Sequence, residues 1–178
     1  KLNFYKTTIL RPSIVYSVDD NFTTQFMTLL SRLPFFPLYY KGETKFIPIH
    51  CSELAEIILQ IINKNICSEI IECVGPQEMT FNEILQKLLK LIDKKKLLIP
   101  IPLTIAKIMA MFFQLLPKPL LTLDQLKLLK YDSVLSGNYK SNLDIGYNCK
   151  LKFEKEVEKY CYMWKETGQY SKRDLNSN

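Results

Sequence analysis

The stretch "TTILRPSIVYSVDDNF", residues 7–22, limits the possible folds more than any other part of the chain. Thr7 to Tyr16 reads as a buried β-strand, rich in β-branched and aliphatic residues. It runs into Asp19 and Asp20, whose charge suits the start of a helix. A strand buried on both faces needs a neighbour on each edge, yet only six residues precede this one. The rest of the sheet must therefore come from further along the chain or from outside these 178 residues.

Patterning along the chain supplies too few strands to meet that need. Asp19 to Leu33 predicts a helix ended by Pro34. "PFFPLYYKGETKF" reads as a connection, with a hairpin over Tyr40 to Phe46 turning at Gly42. "KFIPIH" is a short extended piece. Ser52 then serves as N-cap of a helix with Leu54, Ile57, Ile58, Ile61 and Ile62 on one face. "EIIECVG", residues 69–75, is a second strand, stopped by Gly75-Pro76. Thr80 and Glu83 form a capping box, and Phe81, Ile84, Leu85, Leu88, Leu89 and Ile92 follow at helical spacing. Lys94 to Lys96 close that helix with favourable charge. Thr122 and Gln125 make a second capping box, and a last helix runs over Lys152 to Lys165. Two long strands cannot make a self-sufficient parallel sheet, so the order reads as the second half of an α/β protein.

Composition narrows the function classes. The hydrophobic fraction of 47% supports a sizeable core. The net charge of +6 comes mainly from spread lysines. No aromatic–basic motif of a nucleic-acid reader accompanies them, so nucleic acid is not an expected partner; an anionic lipid or acidic surface is the better match. Five cysteines, an odd number without C-x-x-C, argue against a disulfide framework or zinc site and for a reducing, cytoplasmic-type compartment. The sequence opens on no secretory signal pattern. The most apolar window, residues 97–117, carries Lys107 near its centre and is broken by Pro100, Pro102 and Pro117. Residues 102–116 read as a helix that is buried or docks peripherally on the inner face of a membrane. Met109, Met111, Phe112 and Phe113 then face either the core, or a partner or lipid.

In this order, the words "TILRPSIVY", "DNF", "TKFIPIHCSELAEII", "ECVGPQEMTFNEIL", "IPIPLTIAKIMAMFFQLLP", "PLLTLDQLKLLKYDSVLSG", "LDIG" and "YMWKETGQY" carry a resemblance over nearly the whole chain. It resembles the C-terminal part of the extended or atypical short-chain dehydrogenases/reductases, the NAD-dependent epimerase/dehydratase-like family. Within that family it is most similar to the nucleotide-binding accessory subunits of respiratory complex I. The resemblance implies an α/β fold: the C-terminal portion of a Rossmann-like, NAD(P)-binding fold with a small helical subdomain. It also explains the orphan strand, because the family's preceding strands bear the glycine-rich turn and the Tyr-x-x-x-Lys pair. Neither occurs here: the five glycines are never closer than nine residues, and no tyrosine has lysine four residues later. The expected organisation is one incomplete domain over residues 1–178. Residues 1–75 hold sheet and cleft elements, 76–168 the helical subdomain and 169–178 a tail.

The family implies that the backbone of Arg11, Pro12, Ser13 and Ile14 lies beside the nicotinamide of NAD(P) in the intact protein. This chain alone is expected to hold no cofactor, no metal and no catalytic residue. Arg11 at the strand end either makes a structural ion pair, orients the following loop or meets a ligand phosphate. His50 beside Cys51 suggests a nucleophile pair, but neighbours on an extended segment point to opposite faces, which favours a structural His50. Asp19 and Asp20 are read as helix-start charges rather than an acid/base pair. Ser17 stands where the family carries glycine, so a positive-φ turn there would be strained. Glu53 replaces the family's aspartate. The implied partners are the missing N-terminal half or complex I subunits; the alternatives are half of a split sugar-nucleotide epimerase, dehydratase or reductase, or a non-functional gene remnant.

Overall fold

The computed structural model describes residues 7–102 and 129–166. The first strand splits into β1 (Ile9–Pro12) and β2 (Val15–Tyr16). Helix α1 (Thr23–Arg32), β3 (Phe35–Leu38), β4 (Lys45–Phe46) and β5 (Ile49–His50) follow. Then come α2 (Cys51–Asn63), β6 (Ile70–Cys73), β7 (Met79–Thr80), α3 (Phe81–Leu91) and β8 (Leu97–Pro100). The described chain ends with β9 (Lys140–Ser141), α4 (Phe153–Glu158) and a 3-10 turn over Cys161–Trp164. The expected helix over 102–116, the Thr122/Gln125 capping box and the tail 169–178 lie outside the described residues, apart from Pro102.

The orphan strand finds one neighbour. β1 pairs in parallel with β6, Arg11 opposite Glu72 and Pro12 opposite Cys73, and β6 pairs in parallel with β9. Among the described residues the sheet order is β1-β6-β9, which leaves β1 at the margin. The expectation of one long buried strand is corrected in two ways. Ile9 and Arg11 are exposed, because no described helix covers that face. The strand also changes partners at Ser13: the Ser13 amide bonds Cys73, while the Ile14 carbonyl accepts from Ile49 and leads into the parallel β2–β5 pair.

Two apolar cores result. The smaller packs α2 onto the sheet through Ile49, Ile57, Ile61, Ile71 and Cys73, closed by Ile145 and Cys149. The larger gathers α1, α3, β3 and the C-terminal elements around Met27, Leu30, Phe81, Leu85, Phe153 and Trp164. The capping box is present, with Thr80 and Glu83 bonded reciprocally. Burial of Ile84, Leu85 and Leu88 matches the periodicity that predicted α3.

Several local expectations change. No hairpin turns at Gly42: a 3-10 turn with Tyr40, Lys41 and Gly42 at φ 48, 56 and 72° leads to β4, which pairs antiparallel with β7. "PFFPL" contains β3, paired in parallel with β8. Helix α2 is capped by His50, whose Nδ1 accepts the Ser52 amide, so Ser52 lies inside the helix. On its expected apolar face only Ile57 and Ile61 are buried. The last helix breaks after α4, because the Tyr160 backbone (φ −129°) leaves the helical region. There the Tyr160 hydroxyl meets Thr23 Oγ1 at 2.8 Å, and Trp164 Nε1 donates to Thr28 Oγ1 at 2.8 Å.

Candidate functional site

The candidate site lies at the C-terminal end of β1, where α/β proteins form their crevices. Ser13 is buried and its hydroxyl is fully committed: it donates to the Ser133 carbonyl at 2.7 Å and accepts the Ile47 amide at 3.1 Å. It thus joins three segments distant in sequence. The Ser13 amide and Ile14 carbonyl are also used, toward Cys73 and Ile49. The parallel ladder leaves the Pro12 carbonyl pointing away from β6, toward the open margin.

Beside them, the Arg11 guanidinium stands 4.0 Å from buried Glu72 and lies over the Tyr139 ring, 5.3 Å from its centroid. Glu72 also accepts the Ser136 amide at 2.8 Å. Arg11 therefore makes the structural ion pair that its position suggested, and it holds the 133–141 segment through Tyr139. A cleft of about 620 Å³ opens here, lined by Glu72, Gly137, Asn138, Tyr139, Lys140 and Asp144 among others. Ser141 donates its amide and hydroxyl to Asp144, both at 2.7 Å, which holds the Asp144 carboxyl below its ordinary range.

Close backbone approach fixes the neighbouring wall. A Cβ on Gly75 would stand 1.8 Å from the Pro48 carbonyl oxygen, and the Gly75 amide bonds Ile47 at 3.2 Å. Beneath the sheet, the Asn142 side chain accepts the Val74 amide at 2.8 Å and donates to the Tyr147 carbonyl at 3.0 Å. Burial pushes the Cys73 thiol up to about 11. Burial, with Glu53 nearby, pushes Cys149 up to about 12. Glu53 receives the Lys150 and Leu151 amides.

The other candidates take structural places. Asp20 accepts the Phe22 and Thr24 amides at 2.9 and 3.1 Å, just ahead of α1, and the Thr23 hydroxyl at 2.7 Å. Ser17 is not among the positive-φ residues, so the turn avoids the expected strain; its amide donates to Asp20 at 3.1 Å. His50 Nδ1 lies 2.8 Å from Ser52 Oγ, and its ring packs edge-on against Tyr16. All five cysteines are free thiols. Among the described residues no three metal-binding side chains converge. Glu72, Ser133, Ser136 and Tyr139 were not foreseen, because each meets its partner at this site across more than 60 residues of chain and no local pattern marks such contacts.

These residues do not by themselves fit a dinucleotide. A pyrophosphate needs a glycine-rich turn leading into a helix N-terminus, and the spacing of the glycines rules out that motif within the 178 residues. Ser13, moreover, has no hydroxyl proton left to offer.

Comparison with solved structures defines the class of fold. The chain superposes on a human epimerase family protein determined with NADPH, at a TM-score of 0.64 and 15% identity, over 88% of this chain and 48% of that one. Against UDP-glucose 4-epimerase from Thermotoga maritima the TM-score is 0.55 at 13% identity, over 96% of this chain and 47% of that one. For dTDP-glucose 4,6-dehydratase from Bacillus anthracis, in complex with NAD, it is 0.58 at 14% identity, over 93% and 46%. The fold thus resembles the Rossmann-like fold of these epimerases and dehydratases, and the match spans about half of each of those chains.

Sequence comparison points to a particular group within that fold. The chain is similar to NADH dehydrogenase [ubiquinone] 1 alpha subcomplex subunit 9, mitochondrial, from Dictyostelium discoideum, with 30% identity over 83 residues, 46% of this chain. The Arabidopsis thaliana protein of the same name is 26% identical over 144 residues, 75% of this chain. The matches span 23% and 36% of those two relatives. No family model matches the chain.

Proposed function

We propose that this chain is the C-terminal portion of a complex-I-associated, NAD(P)-binding short-chain dehydrogenase-like protein, with a structural or assembly role. The observation that carries this reading is the match to the Arabidopsis complex I subunit over 75% of the chain. In this reading residues 1–75 contribute sheet and cleft, 76–168 the helical subdomain and 169–178 a tail. Arg11, Pro12, Ser13 and Ile14 form the backbone wall beside the nicotinamide once an N-terminal half completes the site. The chain alone carries out no redox turnover, since it contains neither a glycine-rich turn nor a Tyr-x-x-x-Lys pair. The compartment is reducing, in keeping with five free thiols: the cytoplasm or its organellar equivalent, the mitochondrial interior, at the inner face of the complex I membrane.

Among the described residues no helix is long and apolar enough to cross a membrane. We assign peripheral membrane contact to residues 102–116 on sequence grounds. Flotation with anionic vesicles that is unaffected by Lys107→Glu and Phe112→Asp would reject that contact.

The test of the main reading is native electrophoresis of solubilised membranes from cells expressing the tagged chain. Comigration with complex I is the expected result. A tag that runs only as a free species, or with a soluble sugar-nucleotide enzyme, overturns the assignment. The latter outcome would favour the alternative parent, half of a split epimerase, dehydratase or reductase, which the solved neighbours support by fold.

A further inference from the structure

We infer that the outer face of the β3–β8 pair, at the end where both strands begin, docks on an anionic lipid surface: Phe35, Leu97 and Ile99 enter the headgroup layer while Arg32, Lys95 and Lys96 meet its charge. The inference rests on the peripheral contact proposed above and adds to it a second surface, built from other residues.

The strand pair has an inner and an outer face, because successive side chains of a strand point to opposite sides. Phe36 and Leu38 of β3 are buried in the larger core, and Leu98 of β8 packs against it. Phe35, Leu97 and Ile99 therefore point outward. The register places Phe35 opposite Leu97 and Pro37 opposite Ile99. Phe35 is 47% exposed, Leu97 73% and Ile99 39%, whereas Pro37 is buried. The open apolar surface is thus concentrated where the strands start, and exposed Pro34 extends it. The chain leaves the pair at the other end, where the Ile101 amide donates to the Leu38 carbonyl at 3.2 Å.

Parallel pairing also gathers charge at the starting end. Because β3 and β8 run the same way, the segments that lead into them arrive side by side. Ahead of β3 stands Arg32, the exposed last residue of α1. Ahead of β8 stand Lys94, Lys95 and Lys96. Lys94 is held by Glu166 at 3.6 Å. Among the described residues no carboxylate pairs with Arg32, Lys95 or Lys96. Exposed Asp93 offsets part of this charge. The result is an exposed apolar cluster with a cationic border, which is the surface chemistry of a peripheral membrane contact.

Size decides between lipid and protein as the occupant. The three apolar side chains expose far less than the roughly 800 Å² that each partner of a stable protein complex buries. Self-association is opposed further by the +6 charge of each copy. A bilayer surface requires no matching shape: apolar insertion and attraction to anionic headgroups add together. The attraction strengthens binding about fivefold for each basic residue at the surface. Lysine suits this border, since its stem lies along apolar surface while its ammonium reaches outward.

The experiment floats the purified chain with vesicles of phosphatidylcholine alone and of phosphatidylcholine mixed with anionic phosphatidylglycerol. Wild type should bind the mixed vesicles at least tenfold more tightly, and high salt should abolish the difference. Lys95→Gln/Lys96→Gln should weaken that binding about 25-fold, and Phe35→Ser/Leu97→Ser at least fivefold. Ile58→Ser/Ile62→Ser, which changes exposed isoleucines of α2, should bind as wild type. None of the changed side chains is buried, so circular dichroism should stay that of wild type. Lys107→Glu/Phe112→Asp, floated in parallel, reports the contact through 102–116. Loss in that variant with both strand-pair variants unchanged refutes this surface and leaves the other contact standing. Equal binding to neutral and anionic vesicles overturns the proposal, as does a wild type that never floats. A Leu97→Cys thiol that resists maleimide without vesicles would mean that the chain covers this face itself, which overturns it as well. If wild type never floats and the strand-pair variants lose comigration with complex I, the occupant is an acidic protein surface and lipid is the wrong chemistry. Native electrophoresis of wild type decides the complex I reading separately.

Discussion

Replacing Ser13 by alanine removes one hydroxyl and leaves two buried backbone groups without partners. Ser13 Oγ is the donor to the Ser133 carbonyl and the acceptor for the Ile47 amide. An orphaned buried polar group costs roughly 1–3 kcal/mol, and no replacement donor sits on alanine. Relaxation and partial hydration recover some of this at a site that is 8% exposed. The expected loss is therefore about 3 kcal/mol. For a chain of this size that is a fall in Tm of roughly 6–12 °C. Thermal unfolding followed by circular dichroism measures the total, and amide exchange measures the place: Ile47 should lose protection while Leu85, in the middle of α3, changes only with global stability. A Tm within about 1 °C of wild type, with Ile47 still protected, would refute the claim that Ser13 is a structural bridge. Its hydroxyl would then be free for a ligand.

Gly75→Ala should destabilise by about 3 kcal/mol or more, since backbone rather than a mobile side chain opposes the new methyl; a urea midpoint equal to wild type would contradict the close approach to Pro48. Asn142→Ala strands the Val74 amide and the Tyr147 carbonyl, and a loss of about 2–4 kcal/mol is expected in the same assay. The raised Cys149 thiol, near 12 when folded against an ordinary 9.0, gives a pH dependence of definite sign. A raised folded value stabilises fully below pH 9 and is lost as pH climbs toward 12, because only the unfolded thiol ionises. Between pH 8 and pH 10 the wild type should lose about 1.4 kcal/mol more than Cys149→Ala; equal losses would mean that the thiol is not buried when folded.

Local chemistry was legible in the sequence and long-range pairing was not. The Thr80/Glu83 box and the i, i+3, i+4 run after it are complete within a dozen residues, and α3 forms where they predict. Asp20 likewise acts within four residues of itself. By contrast, β3 and β8 are four-residue strands that pair across about 60 residues; Pro37 disguises the first as a connection, and the second is hidden at the start of the apolar window over residues 97–117. β9 is two residues long and exists through its register with Ile71 and Glu72. At the candidate site, the strand-end position of Arg11 could be read directly. The carboxylate and ring that hold it could not, because Glu72 and Tyr139 come from distant segments. Gly75 looked like a strand stop, and it is one, but its absolute need for a hydrogen side chain arises from Pro48, 27 residues earlier.

The hydroxyl contact between Tyr160 and Thr23 and the indole contact between Trp164 and Thr28 bear on the order in which the molecule can assemble on the ribosome. Each closes a loop of more than 130 residues. Helix α1 emerges well before the partners that cover this side of it, so that side must wait while more than 130 further residues are translated. Non-local closure of this kind slows folding, and the nascent chain exposes Met27 and Leu30 to chaperones in the meantime. A stop codon just ahead of Tyr160 would therefore release a polypeptide that has made every strand from β1 to β9 and still lacks the residues that shelter α1.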